Sequence, residues 1–219
     1  MKNPDLSPMK RRWFMLCLCL LLSLVLCACQ DGEQPETTCF DGGTWTRLED
    51  RTLNMQEYAY QSEDTHIPAD WTLPAGTVGG FTRTEVKGDL LLYGEYQEMV
   101  MDQGFTVARY QDGTLTPVYT FEAGLTMTWQ KFFSPDGTKL VIPWKPQTDL
   151  ENPSDAAWQL RIVDLSTGRE EDLSLPPTER PTGILFAKWL DDTTLEVTAA
   201  GDDLYENPLQ PAWTYTLPA

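Results

Sequence analysis

Histidine is almost missing from this chain of 219 residues: His66 is the single one. Cysteine is scarce wherever it could staple a fold. Cys17, Cys19, Cys27 and Cys29 fall in the first 29 residues, which leaves Cys39 alone beyond them. One thiol closes no intramolecular disulfide, and one thiol with one imidazole cannot supply the ligand set of a zinc site, so no metal is expected. His66 stands in the loop-like Glu63-Asp-Thr-His-Ile-Pro68, and the chain has no Gly-x-Ser-x-Gly elbow. A Ser-His-Asp set is therefore not expected. Basic residues are few: 16 Lys and Arg face 33 Asp and Glu, a formal charge of −17. Such a surface repels nucleic acid and anionic headgroups, which argues against either as a direct partner. There is no Gly-rich phosphate cradle and no dinucleotide fingerprint, so no cofactor is expected. Helical periodicity is absent after the N-terminal stretch.

That stretch has its own order. Lys2, Lys10, Arg11 and Arg12 precede an apolar run from Trp13 to Leu26, which ends in Leu26-Cys27-Ala28-Cys29. A basic head, a short apolar middle and a small residue at the exit are the parts of an export signal. The run falls short of the about 20 apolar residues of a spanning helix. An uncleaved signal anchor and plain secretion are the alternatives. A peptidase pocket at −1 takes a small side chain, and Ala28 is small where Leu26 is not, which selects Cys29 over Cys27. The segment resembles a bacterial lipobox. The resemblance implies a signal peptide over 1–28, acylation of Cys29 with chains such as palmitate, and a lipid anchor on the extracytoplasmic face of the cell membrane. More than one acyl chain is needed for stable anchoring, at about 0.8 kcal/mol per buried methylene. Four basic residues and Asp5 precede Cys29, so residues 29–219 carry 12 basic and 32 acidic side chains, a charge of −20. Residues 29–39 read as a polar tether with a reach of roughly 15–20 Å, and residues 40–219 suit one domain.

The domain reads as all-β. Aromatic and β-branched runs alternate with Gly, Pro and Asp turn signals about every ten residues. Runs 105–110 and 115–121 flank Asp112-Gly113, and runs 160–164 and 170–174 flank Ser166-Thr167-Gly168. Both are hairpin signatures. Runs 81–86 and 89–96 precede the first hairpin and would make four strands with it. Pro-rich segments 143–153, 176–181 and 208–211 read as connectors, because proline cannot donate to a sheet ladder.

The sharpest motif is Phe132-Phe-Ser-Pro-Asp-Gly-Thr-Lys-Leu-Val-Ile142. Pro135 sets the first turn angle, Asp136 caps the turn, Gly137 takes the left-handed conformation, and Ser134 opens it. Lys188-Trp-Leu-Asp-Asp-Thr-Thr-Leu-Glu-Val197 repeats the shape, with Asp192 aligned on Asp136. A Trp-led strand follows each copy, at Trp158 and Trp213. Phe133 and Trp189 lie 56 residues apart, Trp158 and Trp213 55 apart. A shared offset points to an internal repeat. The first copy, with its Asp164-Leu-Ser-Thr-Gly168 turn, resembles the WD40-like repeat of TolB-type β-propellers over roughly residues 127–175. The resemblance is weaker over 183–217. It implies antiparallel propeller-like blades. The length holds about three to four of them, a small or incomplete propeller. The last blade is one strand short at the C-terminus, and a strand near 44–48 or 55–60 would complete it.

Chemistry is thinly represented. The pairs Asp191/Asp192 and Asp202/Asp203 read as turn chemistry before calcium or glycan hydrolysis. Tryptophans at repeated strand positions read as core. Trp71, before a Pro-Gly loop, and Trp144, between Pro143 and Lys145, are the two expected to be exposed and to line a binding surface. The expected role is a membrane-anchored, non-catalytic module that binds a protein or a glycan. The alternatives are an envelope enzyme using loop carboxylates and a subunit of a larger envelope complex.

Overall fold

The computed structural model describes residues 40–73, 81–98, 101–127, 129–146, 157–176, 184–200 and 209–218. Residues 1–39, with the expected signal, Cys29 and the expected tether, lie outside this set, as do Asp202 and Asp203. The strands are β1 Thr44–Arg47, β2 Arg51–Thr52, β3 Phe81–Lys87, β4 Leu90–Glu98, β5 Met101–Gln111, β6 Thr114–Phe121, β7 Gly124–Met127, β8 Lys139–Pro146, β9 Gln159–Asp164, β10 Arg169–Asp172, β11 Leu185–Trp189, β12 Thr194–Ala199, β13 Leu209–Gln210 and β14 Ala212–Thr216. Short 3-10 turns at Phe40–Gly42, Met55–Glu57 and Ser62–Thr65 are the helical elements among the described residues. The fold is all-β, and the strand pairs are antiparallel.

Among the described residues the long strands form three four-stranded, propeller-like blades. Blade 1 is the meander β3-β4-β5-β6, and blade 2 is β7-β8-β9-β10. A short pairing of Met101 and Asp102 with Met127 and Thr126 joins them into one eight-stranded sheet. Blade 3 runs β11-β12-β14-β1. Its outermost strand comes from the start of the domain, with Thr44 opposite Thr216 and Arg47 opposite Trp213. Of the two segments expected to complete this blade, 44–48 does so; Met55–Glu57 is a 3-10 turn instead.

Local chemistry explains the hairpins. Asp112 and Gly113 both have positive φ, 50° and 80°, the pair of left-handed residues that a tight I′ hairpin requires. Gly137 has φ 74° in the Ser134–Thr138 turn. Proline enters the sheet further than expected. Pro143 lies inside β8, opposite Leu160, at the point where the ladder to β7 has ended after Trp144. Pro117 sits at the register shift opposite Ala108. Both are places where the ladder is interrupted, which is where proline is tolerated.

Two apolar layers hold the blades face to face. Leu90, Leu92, Phe105, Val107 and Phe121 of blade 1 pack on Phe132, Phe133, Leu140, Ile142, Trp144 and Val163 of blade 2. The other face of blade 2, with Val141, Trp158, Leu160 and Ile162, packs on Leu185, Leu195, Val197, Trp213 and Tyr215 of blade 3. Trp158 and Trp213 thus meet in one layer from opposite sides. Their common spacing is not a structural equivalence. Leu140 corresponds to Leu195, but their cross-strand partners are Val163 and Tyr215, so the second strands are offset by 52 residues rather than 55. An odd shift turns every side chain to the other face.

Phe40 clamps the start of the domain. Its N–H donates to Glu171 Oε2 at 3.0 Å, the Arg169 guanidinium lies over its ring, and its carbonyl accepts from the Tyr215 hydroxyl. The Gly43 N–H donates to the same hydroxyl at 2.9 Å. A Cβ at Gly43 would stand 2.6 Å from the Tyr215 ring, so only glycine passes there.

Candidate functional site

The turn motif builds a joint between blades. Ser134 Oγ donates to Asp136 Oδ1 at 2.6 Å, and the Thr138 N–H and hydroxyl donate to the same carboxylate at 2.9 Å. In blade 3 Asp191 plays this part, accepting from the Thr193 N–H and hydroxyl at 2.8 Å. Asp192, the residue aligned on Asp136 by sequence, accepts the Asp136 N–H from blade 2 at 2.8 Å. The blade 3 turn is one residue shorter, which moves the capping role back by one. The expected turn chemistry is present, with Asp191 as the cap.

These carboxylates titrate low. Burial pulls Asp136 upward, but the Ser134 and Thr138 hydrogen bonds and Lys139 outweigh it and hold the group below its ordinary range. Burial likewise raises Asp164, and bonds from Ser166 and Thr167 overcome it. Asp191 is held down by the Thr193 N–H first and its hydroxyl second. A carboxylate depressed in the folded state stabilises it above the unfolded value and loses that contribution as pH falls through the folded value. The unfolding midpoint in urea is therefore expected to drop as pH goes from about 5 to about 2. Asp136→Asn should flatten that dependence; an unchanged slope would contradict the assignment.

A buried polar ladder crosses all three blades. Arg83 and Glu85 of β3 are each 1% exposed. Arg83 donates to the carbonyls of Met127, at 3.2 Å, and Gln130, and its guanidinium lies 3.7 Å from the Phe132 ring centroid. Glu85 accepts the N–H groups of Phe132 and Phe133 at 3.1 and 3.2 Å. Gln130 continues the ladder into blade 3, donating to the Leu185 carbonyl at 3.1 Å and accepting from the Ala187 N–H. Trp189 Nε1 returns to the Phe132 carbonyl at 3.0 Å. Burial pushes the Glu85 carboxyl above its ordinary range, against the pull of Arg83 and the two backbone donors.

A charged cluster reaching the surface lies on the outer face of blade 3, under a strap formed by residues 51–66. Arg51 donates to both Glu196 oxygens and, at 2.9 Å, to the Tyr58 hydroxyl. Lys188 Nζ lies 2.7 Å from Glu57 and 3.3 Å from Glu196. Burial first, then the Glu196 carboxylate beside it, push the Tyr58 hydroxyl up to about 12 despite the Thr198 hydrogen bond. Glu57 is pulled below its ordinary range by its bond to Lys188. Two carboxylates that share a lysine and an arginine are charge-compensated, and a depressed Glu57 does not hold a proton for general acid catalysis near neutral pH.

The sequence did not single out this cluster, although it left a trace. Lys188 and Glu196 stand in strands whose alternate residues are apolar. The blade 2 residue at the Glu196 position is Val141, which is buried against blade 3. A charged residue where another blade would pack marks the end of a stack.

The two tryptophans proposed for a surface part ways. Trp71 is half-buried and stacks on Tyr110, with centroids 4.4 Å apart and planes at 12°. Its neighbour Thr72 donates its N–H to the Tyr110 hydroxyl at 2.8 Å. Trp144 is not exposed. It is 6% accessible, packs edge-on against Phe121 and donates Nε1 to Asp172 at 3.2 Å. The strand continues through Pro143, so Trp144 is a core position rather than a strand end. His66 is exposed at the end of the Ser62–Thr65 turn. Among the described residues no three or more His, Cys, Asp or Glu side chains gather as a metal set, and no helix is long and apolar enough to cross a membrane.

No protein-family model matches the chain, and neither a curated protein nor a solved structure matches it.

Proposed function

We propose that the chain is an extracytoplasmic lipoprotein, held by acylated Cys29, whose blades form a non-catalytic binding module. The anchor rests on the order basic head, apolar run, Leu26-Cys27-Ala28-Cys29. The observation that carries the binding reading is the use made of charged groups. Arg83 and Glu85 join blades, and Glu57 and Glu196 are neutralised by Lys188 and Arg51. These carboxylates serve cohesion, and recognition falls to surfaces the blades hold rigid. The polar, strap-covered outer face of blade 3 speaks against a partner blade stacking at that end.

Expression with the native signal in a bacterial host tests the anchor. The expected product starts at Cys29, carries added acyl mass and sediments with membranes, and Cys29→Ser leaves it unacylated. An intact 1–219 chain in the membrane would instead be a signal anchor, and a soluble chain cut nearby a secreted module; either overturns the lipoprotein reading. Turnover of an envelope glycan that disappears on Asp202→Ala or Asp203→Ala would overturn the non-catalytic one.

A further inference from the structure

Tyr58 is the one buried residue between Arg51 and His66. The two 3-10 turns on either side of it bury nothing. Tyr58 is therefore the strap's one fully buried plug, with half-buried Leu53 beside it, and blade 3 supplies most of the socket, with Trp129 against its edge. Phe186, Thr198 and Ala200, all 0% exposed, form its walls. The Tyr58 ring lies 5.7 Å from that of Phe186, tilted by 55°, and Lys188 Nζ stands 5.0 Å from its centroid. The hydroxyl donates to Glu196 Oε1 at 2.8 Å and shares a hydrogen bond with Thr198 Oγ1 at 2.9 Å. The backbone beside the ring also pairs. The Tyr58 carbonyl accepts from the Lys131 N–H at 2.9 Å, the Tyr60 N–H donates to the Trp129 carbonyl at 3.1 Å, and Ala59 bridges to Gln130. The residue before the tyrosine, Glu57, meets Lys188.

We infer that this socket is a recognition site for a tyrosine on an extended segment, preceded by an acidic residue, and that the chain's own Glu57-Tyr58-Ala59 occupies it as an internal ligand. A deep aromatic anchor with a satisfied hydroxyl, between exposed Glu57 and half-buried Ala59, is the pattern of an interface hot spot. Beside Tyr58 the strap is held by the two-residue pairing of β2 with β13, by Leu53, by the backbone bonds to residues 129–131 and by the ion pairs of Arg51, Lys188 and Lys131. An element with one fully buried side chain opens below the free energy of global unfolding. When the strap lifts, the wall residues stay in place because they belong to blade 3, and a partner's tyrosine segment can take its position. The inference deepens the binding-module reading and rests on it. It is independent of the lipid anchor.

Hydrogen exchange on the intact protein, with a synthetic peptide of residues 54–61 as probe, tests it. Amides of residues 53–66 are expected to exchange at least about tenfold faster than those of β12. Saturating peptide should accelerate them several-fold by competition while leaving β8 unchanged. In Tyr58→Ala, with blades verified by near-ultraviolet circular dichroism, the emptied socket should bind the peptide. The same peptide with phenylalanine for tyrosine should bind about tenfold or more weakly, through loss of a hydrogen bond to a charged group. Strap exchange at the rate of β12, or indifference of the strap to peptide, overturns the inference. Should Tyr58→Ala fail to fold, the exchange experiment on the unsubstituted protein decides. Glycan turnover with an opening strap would instead count against the non-catalytic reading alone.

Discussion

Arg83→Ala is expected to cost about 3–5 kcal/mol of unfolding free energy, the range for breaking a buried ion pair by removing one partner. Its side chain has no solvent exposure and reaches Glu85, the Met127 and Gln130 carbonyls and the Phe132 ring. Truncation leaves two buried carbonyls without that donor, removes the packing on Phe132, and strips Glu85 of its cation. Glu85→Gln should cost less, because one amide oxygen still accepts from Phe132 or Phe133. Replacing both residues by apolar ones should not restore stability, since the backbone groups they serve would remain unpaired. Urea unfolding followed by tryptophan fluorescence gives the numbers. A loss under about 1 kcal/mol for Arg83→Ala would show that the ladder does not hold blade 1 to blade 2.

Removal of residues 40–47 is expected to weaken the domain by a comparable amount or more. Phe40 is 5% exposed, and truncating a buried phenylalanine alone costs about 3–5 kcal/mol. Trp45 adds its ring contact with Tyr215 at 4.6 Å and its hydrogen bond to the Ser174 carbonyl. Deletion also leaves β14 as an open edge, a template for association, so the truncated protein should elute as larger species on size exclusion. Geometry supplies a rescue. Because Thr44 faces Thr216 in an antiparallel pair, a permuted chain in which a tight turn joins the C-terminus to residue 44 converts the closure into an ordinary hairpin. That permutant should run as a monomer and regain the share owed to Trp45 and the β14 pairing, while the share of the omitted Phe40 stays lost. Failure to do so would mean that the strand's covalent link to the strap matters more than its pairing with β14.

Turn chemistry made the hairpins readable. Asp112-Gly113, Ser134–Thr138 and Ser166–Gly168 each placed a reversal where the backbone makes one, and the run of four strands from 81 to 121 emerged as blade 1. These signals are local, written in φ preferences and side-chain caps. The spacing of Trp158 and Trp213 was a weaker guide. Counting residues between aromatics ignores loop length, and the pleat converts a three-residue difference into the opposite face. Trp144 misled for a related reason: its proline neighbour suggests a strand end, while the ladder tolerates Pro143 at an interruption. The strap cluster was missed because Arg51, Glu57, Tyr58, Lys188 and Glu196 are brought together across as many as 145 residues of chain.

The sequence by itself determined the class of fold, the hairpins and their turns, the all-β character seen in the described residues, and the N-terminal pattern on which the proposed anchor stands. Tertiary structure alone decided which strand closes the last blade, which tryptophans are core, and which charges meet. The division has one physical cause. Turn propensity and strand alternation act between neighbours, whereas register, face and ion pairing are settled only when distant strands compete for the same ladder and the same layer of core.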